Sequence, residues 1–140
     1  MSNELFTTKA TAKGGRDGHV KSEDGVIDLN IVMPTENSNE TGTNPEQLFA
    51  AAYSSCYDGA LNLVAKQKNK KIDTVTTAEV SFLKEGESGF KIAVKLVSEF
   101  NGVAQDEAEE LMKEAHQVCP YSKATRGNVD VELEAKSNES

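Results

Sequence analysis

The residues of this chain that are best suited to chemistry are its two cysteines, Cys56 and Cys119. The segment from Gln47 to Tyr57 has no charged side chain, and its small and apolar residues predict a helix enclosed by other structure. Cys56 shares one helical stripe with Phe49, Ala52, Tyr53, Gly59, Ala60 and Leu63. Its sulfur is therefore expected to face the interior or a pocket, either as a reactive thiol or as an apolar filler.

A second apolar stripe contains Ala104, Ala108, Leu111, Ala115 and Cys119. Pro120 ends this helix, and a thiol at such a junction can meet free backbone N–H groups that favour its thiolate. Because both stripes point inward, the sulfurs of Cys56 and Cys119 can meet once the helices pack on a sheet. Such a pair has the logic of a thiol peroxidase, in which a thiolate attacks an O–O bond, becomes a sulfenic acid and condenses with a second thiol.

A buried thiol needs a nearby positive charge to lose its proton, and Arg16 is our candidate for that charge. The arginine is permanently charged, and the loop Gly14-Gly15-Arg16-Asp17-Gly18 can aim it from a fixed position. Glu46, in the first turn of the helix, is the expected carboxylate partner of Arg16. The simpler alternatives are a solvated arginine in a plain turn and a glutamate that only stabilises the helix dipole.

The spacing of Glu46 and Cys56 bears on the oligomeric state. Ten residues of helix rise by about 15 Å, so Glu46 cannot touch Cys56 of its own helix. An Arg16 that contacts both must stretch along the helix or take one contact from a second subunit. We therefore expect a homodimer with sites at its interface.

His116, three residues before Cys119, has three open interpretations: a base for that thiol, a metal ligand with it, or an ordinary helix histidine. The chain lacks Cys-x-x-Cys, His-Glu-x-x-His and glycine-rich phosphate-binding motifs, and no further zinc ligands are found nearby. No bound metal or cofactor is expected.

Composition limits the partners and the compartment. The 15 Lys and Arg against 23 Asp and Glu leave a formal net charge of -8, which argues against nucleic acid or an anionic membrane as a partner. The chain has no apolar run that could span a bilayer and no signal-peptide pattern at its start, so we expect a cytoplasmic protein without a permanent disulfide. A single domain over residues 1–140 is the default for this length.

Six strands are predicted from alternating apolar residues and turn signals, at residues 4–13, 19–22, 26–33, 74–84, 90–100 and 128–136. The fourth and fifth strands form a long antiparallel hairpin around the turn at residues 85–89. In the third strand, Ile27, Leu29 and Ile31 are expected to face inward.

Two helices complete the prediction. The first, over residues 45–68, has Asn44 as its N-cap, and the second covers residues 105–117. The order β-β-β-α-β-β-α-β is an α+β plan with antiparallel sheets and a long central helix. Residues 34–43 are expected to form a mobile polar loop, and residues 137–140 a disordered tail.

Four segments, in chain order, carry a family resemblance. They are Arg16-Asp17-Gly18, the run TNPEQLFAA over residues 43–51, Cys56, and the run VCPYSKATRGN over residues 118–128. Together they resemble the organic hydroperoxide resistance (Ohr) branch of the OsmC/Ohr family, and the resemblance extends over nearly the whole chain. It implies an intertwined homodimer with a long central helix in each subunit and two sites at the interface.

The resemblance also implies roles for individual residues. Cys56 corresponds to the peroxidatic nucleophile, Cys119 to the resolving thiol, and Arg16 with Glu46 to the pair that activates the nucleophile and binds the peroxide. The implied enzyme reduces alkyl and fatty-acid hydroperoxides to alcohols and is recycled by an external dithiol on a lipoylated protein. Tyr57, where many relatives have Phe, and the polar residues 35–40, where they are glycine-rich, leave substrate preference open.

Two other functions remain open from the sequence. A carrier of lipids or small apolar ligands would have unreactive thiols and a bound ligand after purification. A thiol-based sensor would undergo the same oxidation but would be reduced slowly.

Overall fold

A computed structural model describes residues 3–34 and 40–138 of the chain and confirms the α+β class. It contains two compact units, residues 1–48 and 49–140. The elements in chain order are β1 (Ala10–Lys13), β2 (His19–Ser22), β3 (Asp28–Asn30), α1 (Pro45–Gln67), β4 (Asp73–Glu85), β5 (Gly89–Asn101), α2 (Gln105–Val118), α3 (Pro120–Thr125) and β6 (Val131–Ser137). Within the described ranges, no helix combines the length and apolar character that a bilayer span requires.

The first unit contains one antiparallel sheet in the order β1-β2-β3. β1 is shorter than predicted because residues 3–9 lie outside the strand. β3 is also shorter, although a bridge between Ile31 and Thr43 continues its pairing. Five residues of the predicted mobile loop, 35–39, and the last two of the predicted tail lie outside the described residues.

The first unit buries few apolar side chains in this single chain. Ile31 is buried as predicted, whereas Ile27 and Leu29 are 39% and 40% exposed, so their predicted inward orientation is wrong here. Leu5 and Phe6 are more exposed still, at 91% and 82%. Strands of three or four residues are too short to enclose a core between themselves.

Helix α1 begins where its capping residue predicts. The Asn44 side-chain oxygen accepts a hydrogen bond from the Gln47 backbone N–H at 2.8 Å, which confirms the N-cap. The Gln47 side chain accepts a 2.6 Å hydrogen bond from the Thr43 hydroxyl, one residue before the cap. The start of α1 is therefore fixed by contacts within the first unit.

The second unit contains a sheet in the order β4-β5-β6. β4 and β5 form the predicted antiparallel hairpin, with 13 residues in each strand. β6 pairs with β5 in parallel, which corrects the prediction of antiparallel sheets for this one pair. The helices α2 and α3 provide the long crossover connection that parallel strands require.

Side chains from α1, α2 and one face of this sheet form the hydrophobic core of the second unit. Its largest fully buried apolar members are Tyr53, Tyr57, Leu61, Leu96, Phe100, Leu111 and Met112. Close packing leaves such side chains little freedom to shift. The core therefore fixes the positions of α1, which contains Cys56, and of α2, which ends directly before Cys119.

Candidate active site

Cys56 lies in the middle of α1, at the edge of its buried stripe. The buried residues of α1 are Tyr53, Tyr57, Ala60, Leu61, Val64 and Ala65. The predicted stripe is correct for Tyr53 and Ala60 but wrong for Gly59 and Leu63, which are exposed. Because Tyr57 rather than Cys56 faces the core, the Cys56 side chain keeps partial access to solvent.

Cys119 occupies the junction between α2 and α3. Its backbone N–H still donates to the Ala115 carbonyl, at 2.9 Å, but its φ and ψ of -63° and 123° are extended. Pro120, at the first position of α3, disfavours a helical conformation for the residue before it. The Cys119 side chain is fully buried, as the stripe through Ala108, Leu111 and Ala115 predicts.

The two sulfur atoms are 3.5 Å apart. A disulfide has an S–S distance of about 2.05 Å, so a relative movement of about 1.5 Å would join them. One thiol has access to solvent and the other has none. This arrangement suits an external oxidant that reacts at Cys56 and an internal thiol that reacts next.

The surroundings of the Cys56 thiol act in opposite directions on its pKa. Burial is the largest effect and raises the pKa, the backbone N–H of Tyr121 donates to the sulfur and lowers it, and Cys119 raises it again. The net direction is upward. The backbone N–H of Tyr121, directly after Pro120, thus donates to the Cys56 sulfur, whereas we predicted that N–H groups at this junction would favour the thiolate of Cys119.

Three aromatic rings lie beside this thiol pair. Phe49, Tyr53 and Tyr121 have ring centroids 5.8 to 6.1 Å apart, and Tyr121 remains 37% exposed. Tyr121 connects the group to Cys56 through its backbone N–H. The cluster therefore has a partly exposed ring, on the residue whose backbone contacts the solvent-accessible thiol.

Arg16 lies in a short 3-10 turn at residues 15–17 of the first unit. Gly14 and Gly15 have φ values of 83° and 58°, a region that side chains disfavour. A Cβ at Gly18 would lie 1.9 Å from the Lys13 carbonyl oxygen. The predicted glycine loop is therefore a tight turn that other residues could not form without strain.

Arg16 and Glu46 form a bidentate ion pair within one chain. Both terminal guanidinium nitrogens donate to the two carboxylate oxygens at 2.8 Å. The Glu46 side chain is only 16% exposed, and its hydrogen bonds with Arg16 lower the pKa of the carboxyl. This pair belongs to the first unit, and the thiol pair belongs to the second.

We expect Glu46→Gln to destabilise the protein at neutral pH and to matter progressively less in acid. The folded pKa of Glu46 lies below the unfolded value of about 4.3. Its stabilisation is therefore complete above that value and is lost as the pH falls through the folded pKa. Urea unfolding at pH 7 should show a loss of about 0.5–1 kcal/mol, and this loss should become smaller as the pH falls below about 4.3.

Glu23→Gln is the matched control for this prediction. Glu23 pairs with Lys9 in the same unit, but both side chains are about 70% exposed, so its replacement should change stability by only a few tenths of a kcal/mol. A Glu46→Gln loss that stays constant down to pH 2 would contradict the assigned role of the carboxylate.

A set of buried hydroxyl groups that we did not predict lies on α1 and α3, near the thiol pair in sequence. Ser122 and Thr125 of α3 are buried and contact the Tyr53 hydroxyl at 2.8 and 3.2 Å. His116, considered as a base or metal ligand beside Cys119, has its Nδ1 at 2.8 Å from the Ser122 hydroxyl. Burial, and then the charge of Arg126, lower the pKa of His116. The available signal in the sequence was the pair of hydroxyl residues Ser122 and Thr125, which follow Cys119 at intervals of three residues.

A family model described as OsmC-like protein matches residues 36–134 of this chain. The organic hydroperoxide resistance protein OhrB of Bacillus subtilis (strain 168) is 55% identical over 134 residues, which are 94% of this chain and 98% of that protein. OhrA of the same strain is 51% identical over 138 residues, with 96% and 98% of the two chains covered.

Solved structures of organic hydroperoxide resistance proteins are also similar to this chain. The crystal structure of Bacillus subtilis OhrB superposes with a TM-score of 0.91 at 54% identity and covers 95% of this chain and 100% of that one. An organic hydroperoxide resistance protein from Elizabethkingia anophelis, crystallised with thiocyanate bound, gives a TM-score of 0.90 at 46% identity, with 98% and 100% covered.

Proposed function

Because the chain belongs to the OsmC-like protein family, in the branch of the organic hydroperoxide resistance proteins, we propose that it is a thiol-dependent peroxidase that reduces organic hydroperoxides to alcohols. The observation that carries this proposal is the pair of free thiols 3.5 Å apart, one partly exposed and one buried. A buried filler cysteine would need neither the partner sulfur nor the access to solvent.

The proposed cycle starts with attack of the Cys56 thiolate on the outer peroxide oxygen. The O–O bond breaks, Cys56 becomes a sulfenic acid, and the alkoxide leaves as an alcohol after taking up a proton. The Cys119 thiol then attacks the Cys56 sulfur, the S–O bond breaks, and the disulfide forms with release of water. An external dithiol, such as the dihydrolipoyl group of a lipoylated protein, reduces the disulfide by two exchange steps and is oxidised to its own disulfide.

Arg16 is the proposed source of the positive charge that the first step requires. Burial raises the pKa of Cys56, so an additional cation is needed to maintain the thiolate at neutral pH. The bidentate contact with Glu46 supports this role, because it holds a permanently charged group in a defined orientation. Arg16 would also bind the peroxide, and Glu46 would act by orienting Arg16.

The aromatic cluster supports a preference for organic hydroperoxides over hydrogen peroxide. Phe49 and Tyr121 offer apolar surface to the organic part of a substrate, which hydrogen peroxide lacks. Burial of such a group commonly changes kcat/KM by at least about tenfold.

A homodimer in the cytoplasm is part of the proposal. A second subunit would cover large apolar side chains that the first unit exposes in the single chain. These are Leu5, Phe6, Val26, Ile27, Leu29 and Met33. The cycle also needs a reducing compartment for its dithiol. A solution mass equal to one chain at micromolar concentration would refute the dimer.

A peroxide-consumption assay tests the proposed function. We expect the protein to consume an alkyl hydroperoxide at least about ten times faster than hydrogen peroxide with dihydrolipoamide as reductant, and far more slowly with a monothiol. Absence of consumption with the dithiol would refute the peroxidase, and equal rates with the two peroxides would refute the substrate class.

A further inference from the structure

A buried tyrosine connects α1, which carries Cys56, to α3, which begins directly after Cys119. Tyr53 of α1 is fully buried, and its hydroxyl lies 2.8 Å from the Ser122 hydroxyl and 3.2 Å from the Thr125 hydroxyl, both on α3. The three hydroxyl groups have little or no contact with water, so their hydrogen bonds have no solvent competitor.

The network continues to a third helix. The Ser122 hydroxyl also contacts Nδ1 of His116 on α2, at 2.8 Å. Since α3 has six residues, it is too short to be stable without tertiary contacts. The hydroxyl network supplies such contacts from α1 and from α2.

The residues of this network lie at the same spacing from each cysteine in the sequence. Tyr53 precedes Cys56 by three residues on α1, and Ser122 follows Cys119 by three residues at the start of α3. The brace between Tyr53 and Ser122 therefore lies one helical turn from each sulfur. Tyr121, between Cys119 and Ser122, contributes the backbone N–H that reaches the Cys56 sulfur.

We propose that Tyr53 is a positioning residue for the second chemical step, in which its hydroxyl holds α3 so that the Cys119 thiol stays within reach of oxidised Cys56. This inference rests on the proposed function. Tyr53 exchanges no proton with the reacting atoms: the Cys119 sulfur attacks the sulfenic sulfur, and the released hydroxide leaves as water with the thiol proton.

The brace affects the two steps unequally. Cys56 lies within α1, so loosening α3 reaches the attack on peroxide only through Tyr121, by its backbone N–H and its ring. Tyr53→Phe keeps the aromatic ring that packs against Tyr121, so this effect should be small. Cys119 is the residue that joins α2 to α3, so a shift of α3 acts directly on its backbone, and the disulfide requires an approach of about 1.5 Å from the present sulfur–sulfur distance. A displacement of about 1 Å can slow an oriented reaction by up to about 100-fold.

Tyr53→Phe tests the proposal, and Tyr57→Phe is its matched control. Both tyrosines are fully buried on α1, and both substitutions remove one buried hydroxyl. The Tyr57 hydroxyl donates its hydrogen bond to the Met112 carbonyl of α2 at 2.7 Å, whereas the Tyr53 hydroxyl contacts hydroxyl groups of α3. A difference between the two variants thus reports the contact with α3 and not a general loss of a hydrogen bond.

The experiment is a single turnover with an alkyl hydroperoxide, in which peroxide loss measures the first step and disulfide formation measures the second. We expect Tyr53→Phe to slow disulfide formation about 10- to 100-fold, to change peroxide attack by less than about threefold, and to raise the fraction of Cys56 sulfinic acid. Tyr57→Phe should form the disulfide between Cys56 and Cys119 at the wild-type rate. If Tyr53→Phe does not fold, Ser122→Ala removes the same contact from the side of α3.

Disulfide formation at the wild-type rate in Tyr53→Phe, or an equal slowing in Tyr57→Phe, would overturn the inference while leaving the peroxidase intact. A wild-type protein in which Cys56 never forms a sulfenic acid would instead overturn the proposed function, and the inference with it. Amide hydrogen exchange in α3 adds a readout that needs no peroxide. Faster exchange is expected in Tyr53→Phe alone, and unchanged exchange would refute the brace.

Discussion

Cys56→Ser is expected to abolish the consumption of organic hydroperoxide, with a loss of at least about 1,000-fold in kcat/KM. A serine hydroxyl stays protonated at neutral pH and does not attack an O–O bond, whereas the remaining thiol, Cys119, is fully buried and out of reach of the substrate. The replacement is nearly isosteric and lies at the edge of the core, so the folded structure should be retained. Steady-state consumption of an alkyl hydroperoxide with dihydrolipoamide measures the effect, and a thermal melt verifies the fold.

Ser55→Ala provides the matched control for this experiment. Ser55 is the neighbouring residue on the exposed side of α1, and its hydroxyl donates to backbone carbonyls of the preceding turn, those of Ala51 and Ala52. We expect activity within about twofold of wild type. Substantial turnover by Cys56→Ser would remove this cysteine from the nucleophilic role. Thiols that remain unreactive toward peroxide in the wild type would favour the apolar-ligand carrier.

Cys119→Ser is expected to permit one turnover per chain and then to stop. Attack by Cys56 needs no second thiol, so one equivalent of alcohol should appear at close to the wild-type rate. The sulfenic acid then lacks a partner 3.5 Å away and is open to further oxidation to sulfinic acid, which dithiols do not reverse. Rapid mixing followed by mass spectrometry of the intact chain gives both the burst and the oxidation state.

Cys119→Ser tested with substoichiometric peroxide distinguishes resolution from damage. With less than one equivalent of peroxide, the variant should stop as a sulfenic acid that an added small thiol restores, while the wild type forms its internal disulfide. Sustained turnover by Cys119→Ser at the wild-type rate, without an added thiol, would show that Cys56 is resolved by another route. Slow reduction of an otherwise normal disulfide by every dithiol tested would favour the sensor.

The long elements of this protein follow from local patterns in its sequence. The N-cap at Asn44, the hairpin turn at residues 85–89 and the apolar stripe on α2 predict helices and strands whose observed bounds differ by at most one residue. The family follows from residue types at fixed positions, because the runs over residues 43–51 and 118–128 are specific. Local patterns suffice here since capping and side-chain alternation act over a few residues.

The tertiary structure decided which side chains lie together. The contact of Tyr57 with α2 determines which face of α1 is buried. Helical periodicity alone predicted Cys56 at the centre of that face, whereas the structure places it at the edge. The parallel pairing of β6 depends on the path of the chain through α2 and α3. Neither is encoded within a single turn or strand, because each arises between segments that are distant in sequence.

The same distinction applies to the site. The sequence by itself determined the reactive residue types, Cys56 and Cys119 on inward-facing helices and Arg16 in a turn that only glycines allow. Three features were decided only by the folded chain. The two sulfurs lie 3.5 Å apart, both terminal nitrogens of Arg16 donate to Glu46, and the Tyr53 hydroxyl connects α1 to α3. A distance is set by packing of the whole core, and no local preference specifies it.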